Sequence, residues 1–161
     1  MTASGERRAL PGSLPFGRDC FACGPDNPVG MHVPYEFVDD AVEAVFTLDK
    51  RFSGAPRFVH GGLVMTVLDE AMAWAAIAIR ERFAVTTDFN ASFDRPVLIG
   101  EQHTVRATAG PIEADGRTLV ITATITRGDG KVCARARGSY HALTDAQAGS
   151  ATGLTQNWEP S

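Results

Sequence analysis

The stretch Val59-His60-Gly61-Gly62-Leu63-Val64-Met65-Thr66-Val67-Leu68-Asp69-Glu70-Ala71-Met72-Ala73-Trp74 decides how this chain folds. Two glycines open a run in which Leu63, Val64, Val67, Leu68, Ala71, Met72, Ala75 and Ile79 recur at helical spacing, and most other positions are apolar too. The pattern predicts a helix over about 61–82. A helix that is apolar all round is enclosed by the rest of its fold. Arg80 and Arg82 stand at its far end, where the helix dipole favours cations. Asp69 and Glu70 sit two turns inside it, among Leu, Val, Met, Ala and Trp. An ionised carboxylate in such surroundings must be paired or hydrogen-bonded. The acidic pair therefore calls for a chemical explanation.

Outward from the helix, the pattern changes to alternation. Residues 31–37 and 41–48 read as a hairpin, with Val42, Ala44, Phe46 and Leu48 on one face and Asp39-Asp40 at the turn. Four further strand candidates follow the helix, at 84–93, 102–109, 118–126 and 131–143. Between them lie Arg95-Pro96 with Gly100, Gly110-Pro111 with Asp115-Gly116, and Gly128-Asp129-Gly130. These short connections predict an antiparallel meander. One long apolar helix with five to six antiparallel strands is an α+β layout, in which the sheet must curve around the helix to cover it. An open sheet has edges, so association through the sheet is expected.

The chain has 161 residues, which suggests one domain, and its 44% apolar content supports a real core. The domain is expected over 20–143, between a flexible lead-in at 1–19 and a flexible tail at 144–161. A net charge of −4 argues against a nucleic-acid footprint. The longest apolar run is interrupted by Asp69 and Glu70, so a membrane span is not expected. No apolar run follows Arg7 and Arg8, so a secretory signal is not expected either, and the reading is of a cytoplasmic protein. Three cysteines argue against a disulfide framework. Cys20 and Cys23 form a C-x-x-C in turn-rich sequence. A structural zinc site needs four ligands, and His32 and Cys133 lack the spacing to complete one. The pair is read as two small apolar residues in an ordered loop, and no metal is expected.

The combination Cys20-Phe21-x-Cys23-Gly24, Asn27-Pro28-x-Gly30, Val59-His60-Gly61-Gly62, Leu68-Asp69-Glu70 and Asp88-Phe89-Asn90 leading to Arg95-Pro96 resembles the hotdog-fold thioesterases, in their PaaI-like branch. The likeness covers roughly residues 20–143. It implies a hotdog fold and hydrolysis of acyl-CoA thioesters, with CoA as part of the substrate and no cofactor. It also implies that Asp69 is base or nucleophile, that the Gly61 N–H meets the thioester carbonyl, and that Thr86 orients the attacking water. Several relatives carry Asn or Gln six residues before the His, where this chain has Gly54.

Physical chemistry supports these assignments. A thioester carbonyl needs an oxyanion partner and a positioned nucleophile. The first N–H groups of a helix lack internal partners and lie at its positive end. Glycine there admits a close carbonyl, although a plain N-terminal turn would use glycine too. Gly61 and Asp69 are eight positions apart on one helix, roughly 12 Å along its axis. Reacting groups must lie about 3–3.5 Å apart. One thioester therefore cannot reach both from a single chain. Two antiparallel central helices across a twofold axis are expected, giving a homodimer or homotetramer whose sites are shared between subunits. Asp69 and Glu70 lie about 100° apart around the helix, so they face different ways. Glu70 is expected either to pair with a basic residue or to line the partner's site. His60 is either a base or, as favoured here, a cap on the glycine turn. Gly62, Asn90 and Arg95 complete the substrate-binding set, Arg95 facing either CoA phosphates or solvent. Trp74 and Met72 read as core. Two other functions fit the same fold: a non-catalytic acyl-CoA-binding dimer, and a hotdog hydratase or dehydratase.

Overall fold

The apolar run forms one helix, α1 (Gly61–Arg80), in a computed structural model that describes residues 7–153. Positions 1–6 and 154–161, parts of the expected lead-in and tail, lie outside the described residues. The helix starts where the His60 side chain accepts the Gly62 N–H at 3.0 Å, an N-cap that satisfies one of the orphan donors. It stops two residues short of the expected end because Glu81 turns left-handed at φ 53°. The Glu81 N–H returns to Ile77 O and the Arg82 N–H to Ala76 O, closing the last turn as left-handed C-caps do. Arg80 reaches across to Gly110 O and Ala109 O, fixing the C-terminal end to the sheet.

The sheet that wraps α1 has seven strands, all pairs antiparallel. In chain order its strands are β1 (Arg8–Ala9), β2 (Glu36–Val38), β3 (Ala41–Thr47), β6 (Ala84–Phe93), β7 (Gln102–Ile112), β8 (Thr118–Arg127) and β9 (Val132–Ala142). Two short strands, β4 (Ser53–Ala55) and β5 (Phe58–Val59), pair separately just before the helix. The spatial order is β1-β2-β3-β7-β8-β9-β6. Three of the four post-helix strands form the expected meander. The first of them, β6, does not. It crosses to the far edge and pairs with β9, leaving its outer edge unpaired. The linker 94–101 allows this: it runs back past β5, with Val59 N–H on Val97 O and Gly100 N–H on Leu48 O.

The hairpin is as the alternation suggests, but β2 begins at Glu36 rather than 31. Asp39 and Asp40 both take positive φ (47° and 59°), the backbone of a two-residue type I′ turn. The lead-in differs from expectation, since β1 adds the seventh strand and Leu10 is buried against the core. The tail differs likewise: α2 (Asp145–Thr152) forms there, with Thr144 and Gln147 making a reciprocal capping box. Tail composition hides this helix, because its residues carry almost no apolar face.

Alternate residues of the strands supply the core. Val105 and Ala107 of β7, Leu119, Ile121 and Ile125 of β8, and Ala134, Ala136 and Tyr140 of β9 face the helix residues Val64, Val67, Leu68, Ala71, Met72 and Ala75. By length and composition α1 could cross a membrane, but here its apolar face is covered by strands β3, β6, β7, β8 and β9. Leu68 is fully buried at the centre of this packing. Truncation to Ala leaves a cavity in a close-packed layer, so Leu68→Ala is expected to lower unfolding free energy by about 2–5 kcal/mol. Urea denaturation checks this; a change within about 0.5 kcal/mol, typical of a surface site, would contradict the placement.

Candidate active site

Asp69 is positioned by α1 and held by two strands. Its Oδ1 accepts a hydrogen bond from Thr86 Oγ1 at 2.8 Å and from the Tyr140 hydroxyl at 2.7 Å. The sheet register explains the meeting, because Thr86 of β6 lies directly opposite Tyr140 of β9. A bulge between Thr86 and Asp88 bends the strand at this point, the local re-aiming that bulges provide. Thr87 is left outside the ladder, and its hydroxyl donates to Ser139 O. Asp69 Oδ2 has no partner among the described residues. Burial, and after it the Asp69 carboxylate, push the Tyr140 phenol above its ordinary range, so it stays protonated and remains a donor.

The cleft beside this carboxylate has a volume of about 250 Å³ and is lined by Gly62, Met65, Thr66, Asp69, Thr86 and Phe89. Gly62, Thr66 and Asp69 share one helix face at i, i+4 and i+7, as helical periodicity requires. Of the residues singled out in the sequence, Asp69, Thr86 and Gly62 are thus brought together. Gly61 lies one position away at the first turn. Its N–H has no acceptor among the described residues, and a Cβ added there would meet nothing within 4 Å.

The remaining expected site residues lie elsewhere. His60 is a cap: its Nδ1 faces Gly62 N–H, and its backbone N–H donates to Phe52 O. Asn90 is exposed on β6, opposite Arg137, and does not line the cleft. Arg95 donates its guanidinium to Val132 O at 2.8 Å. Glu70 needs the largest correction. Among the described residues it pairs with no basic residue, and it does not line the cleft of its own chain. The helical rotation turns it to the opposite side, where Cys23 Sγ lies 2.8 Å and Cys20 Sγ 3.4 Å from its Oε1. The two cysteines are therefore partners of a carboxylate, not inert apolar residues. Gly54 is also explained. A Cβ there would come within 3.0 Å of His60 Cα and 3.3 Å of its ring, so an Asn or Gln at 54 would displace the cap.

Sequence reading missed Tyr140. On β9 the positions Ala134, Ala136, Gly138, Tyr140 and Ala142 alternate towards the helix, and all but one are small. A single phenol in a small-residue stripe was the available signal. Gly138 fits the same logic, since a Cβ there would meet Asp88 O at 2.9 Å and Met72 Cε at 3.1 Å.

The chain is similar to known proteins in sequence and in fold. Residues 57–134 match the thioesterase superfamily. Acyl-coenzyme A thioesterase THEM4 of Mus musculus is 30% identical over 97 residues, which are 60% of this chain and 40% of that protein. A solved thioesterase superfamily protein superposes with a TM-score of 0.71 at 26% identity, over 77% of this chain and 60% of its own. The E. coli PaaI protein from the phenylacetic acid degradation operon superposes with a TM-score of 0.64 at 21% identity, over 71% and 81%. The chain thus spans 40% and 60% of these first two relatives' lengths, in both cases less than two thirds.

The Asp69 cradle carries a stability signature. Tyr140 is fully buried, and its hydroxyl's side-chain partner is the carboxylate. Tyr140→Phe is expected to cost about 1.5–3 kcal/mol, the range for a hydrogen bond to a charged group. Thr86→Val, at an exposed position, is expected to cost less. A double-mutant cycle by chemical denaturation should return coupling of about 0.5 kcal/mol or more, because both donors meet one oxygen. Strict additivity would show that they do not share Asp69.

Proposed function

We propose that the chain, whose residues 57–134 match the thioesterase superfamily, belongs to that superfamily and hydrolyses an acyl-CoA thioester to CoA and a carboxylic acid. The observation that carries this reading is the Asp69 carboxylate, held through Oδ1 by Thr86 and Tyr140 with Oδ2 facing an open cleft. Two neutral donors fix its direction, the preorganisation that general-base and nucleophilic groups need. As base, Asp69 takes a proton from water while the water oxygen bonds to the thioester carbon. The C–S bond then breaks, and the same proton returns to the departing thiolate. Gly61 N–H polarises the carbonyl oxygen from the positive end of a helix, where charge developing in the transition state is stabilised.

Both groups act on one thioester only if two chains contribute. They lie eight positions apart on a single helix, roughly 12 Å at 1.5 Å per residue. The monomer surface favours association. The ten residues of β6 are mostly exposed along an unpaired edge. Met65, Val85 and Phe93, between 38% and 51% exposed, lie on α1 and on that strand. An edge strand with apolar side chains is a natural pairing surface. The proposed assembly is a homodimer, or a dimer of dimers, with Gly61 of one subunit facing Asp69 of the other.

Glycine at 61 allows a clean test. The first helical position tolerates proline, which deletes the N–H. His60, at φ −55° and ψ 131°, already has the extended backbone that a following proline demands. Gly61→Pro is therefore expected to fold but to lose about 10²–10³ in kcat, the scale of one oxyanion donor. Gly61→Ala controls for bulk and retains more activity. Asp69→Asn is expected to abolish thiol release from a panel of acyl-CoAs. Binding without hydrolysis by the unaltered chain would mark a ligand-binding dimer instead. Mixing Asp69→Asn and Gly61→Pro chains should recover activity in hybrid dimers, which pair one intact Gly61 with one intact Asp69. A fully active monomer by native mass would overturn the shared site.

A further inference from the structure

The second face of α1 carries a cluster that hydrolysis does not use. Cys20 Sγ, Cys23 Sγ and a Glu70 carboxylate oxygen all lie within 4.8 Å of one another. The turn that brings the sulfurs together is tightly built. Gly24 N–H donates to Cys20 O at 2.8 Å. A Cβ on Gly24 would fall 2.4 Å from Cys20 N and 2.5 Å from Arg18 O, a backbone collision that only glycine avoids. Phe21 O and Ala22 O accept the N–H groups of Met31 and Val33, so the loop is laced to the following chain.

Two further observations point to a ligand. Glu70 is a largely buried carboxylate, and none of the ion pairs among the described residues involves it. A buried charge without a cation is costly. Trp74, one turn further along the same helix face and 8% exposed, has a buried indole N–H without a hydrogen-bond partner. That N–H lies beside the Cys23 side chain. An orphaned buried donor aimed at a sulfur finds its acceptor when the sulfur becomes an anion.

We propose that Cys20, Cys23 and Glu70 bind a thiophilic divalent cation of the zinc class, tying the N-terminal loop to the central helix one residue beyond Asp69. Two thiolates and a carboxylate match zinc's ligand preferences, whereas calcium and magnesium require oxygen cages. Three protein ligands leave the fourth tetrahedral position for water. Cys23 also lines a cleft of about 260 Å³ together with His32, Tyr35 and Glu36. The bound cation supplies the charge that Glu70 lacks. The thiolates it creates give Trp74 its acceptor.

The test is metal binding by the full-length chain, purified and kept reduced without chelators. Elemental analysis should find about one zinc per chain. Exchange with Co²⁺ should produce thiolate-to-cobalt charge-transfer absorption with tetrahedral d–d bands. Cys20→Ser and Cys23→Ser should lose those bands, and Glu70→Gln should give up the metal to a chelator that leaves the unaltered chain loaded. A chelator should lower the Tm of the unaltered chain but not of Cys20→Ser, and circular dichroism confirms that each variant folds. Absence of both zinc retention and the cobalt spectrum in the folded, reduced protein overturns the site, as does a Cys20–Cys23 disulfide as the only reaction of the pair. Metal content and spectra do not depend on thioester hydrolysis, so this inference and the proposed activity can fail separately.

Discussion

The structure depends on one constraint: a predominantly apolar helix at the core of the fold carries two adjacent carboxylates at its middle. Successive residues point about 100° apart, so no single neighbour can satisfy both. Asp69 turns to the strands and receives two hydroxyl donors. Glu70 turns to the N-terminal loop and meets two thiols. The sheet on one side and the C-x-x-C turn on the other are thus each held in place by a polar contact to the same helical turn. Removing the thiols would leave the largely buried Glu70 carboxylate without a hydrogen-bond partner, a larger penalty than any one contact contributes.

The sheet topology follows from the same need. If β6 had paired with β7, as a simple meander would, Thr86 would lie near the β3 side and far from Tyr140. Pairing with β9 instead puts Thr86 opposite Tyr140, and both reach one carboxylate oxygen. The crossing also leaves β6 as an open edge beside the cleft. Site geometry and the capacity to associate therefore come from one topological choice, made possible by the long linker between β6 and β7.

Much of this was legible in the sequence, and the reasons differ by element. The helix was legible because apolar periodicity over five turns has no competing reading. The strands were legible from alternation, and β6 appears at the expected residues 84–93. Pairing order was not, since alternation says which residues face inward but nothing about which strand lies beside which. The two-residue β1 and the nearly moment-free α2 lacked any periodic signal; pairing and capping make them, not amphipathicity. Asp69 and Thr86 came from a resemblance and meet in space. Tyr140 escaped because its role depends on a register that only the folded sheet defines. The Cys20–Glu70 contact escaped for a related reason: fifty positions separate the partners, and only a loop folded back onto the helix brings them together.

The three glycines around His60 separate what the chain needs for itself from what it presents outward. Gly54 and Gly62 are demanded internally, because a Cβ at either would press on the imidazole or backbone of the cap. Gly61 is not: a methyl there meets open space within this chain. Its conformation is ordinary helix, where glycine is about 1 kcal/mol worse than alanine. A folded chain gains nothing from glycine at 61, so the reason for it lies outside the chain, in an atom that must approach the N–H more closely than a methyl allows. The same position lies too far along the helix from Asp69 for that approach to serve both groups within one subunit. Local sterics at a single residue therefore support the same proposal as the length of the helix, a site completed by a second copy.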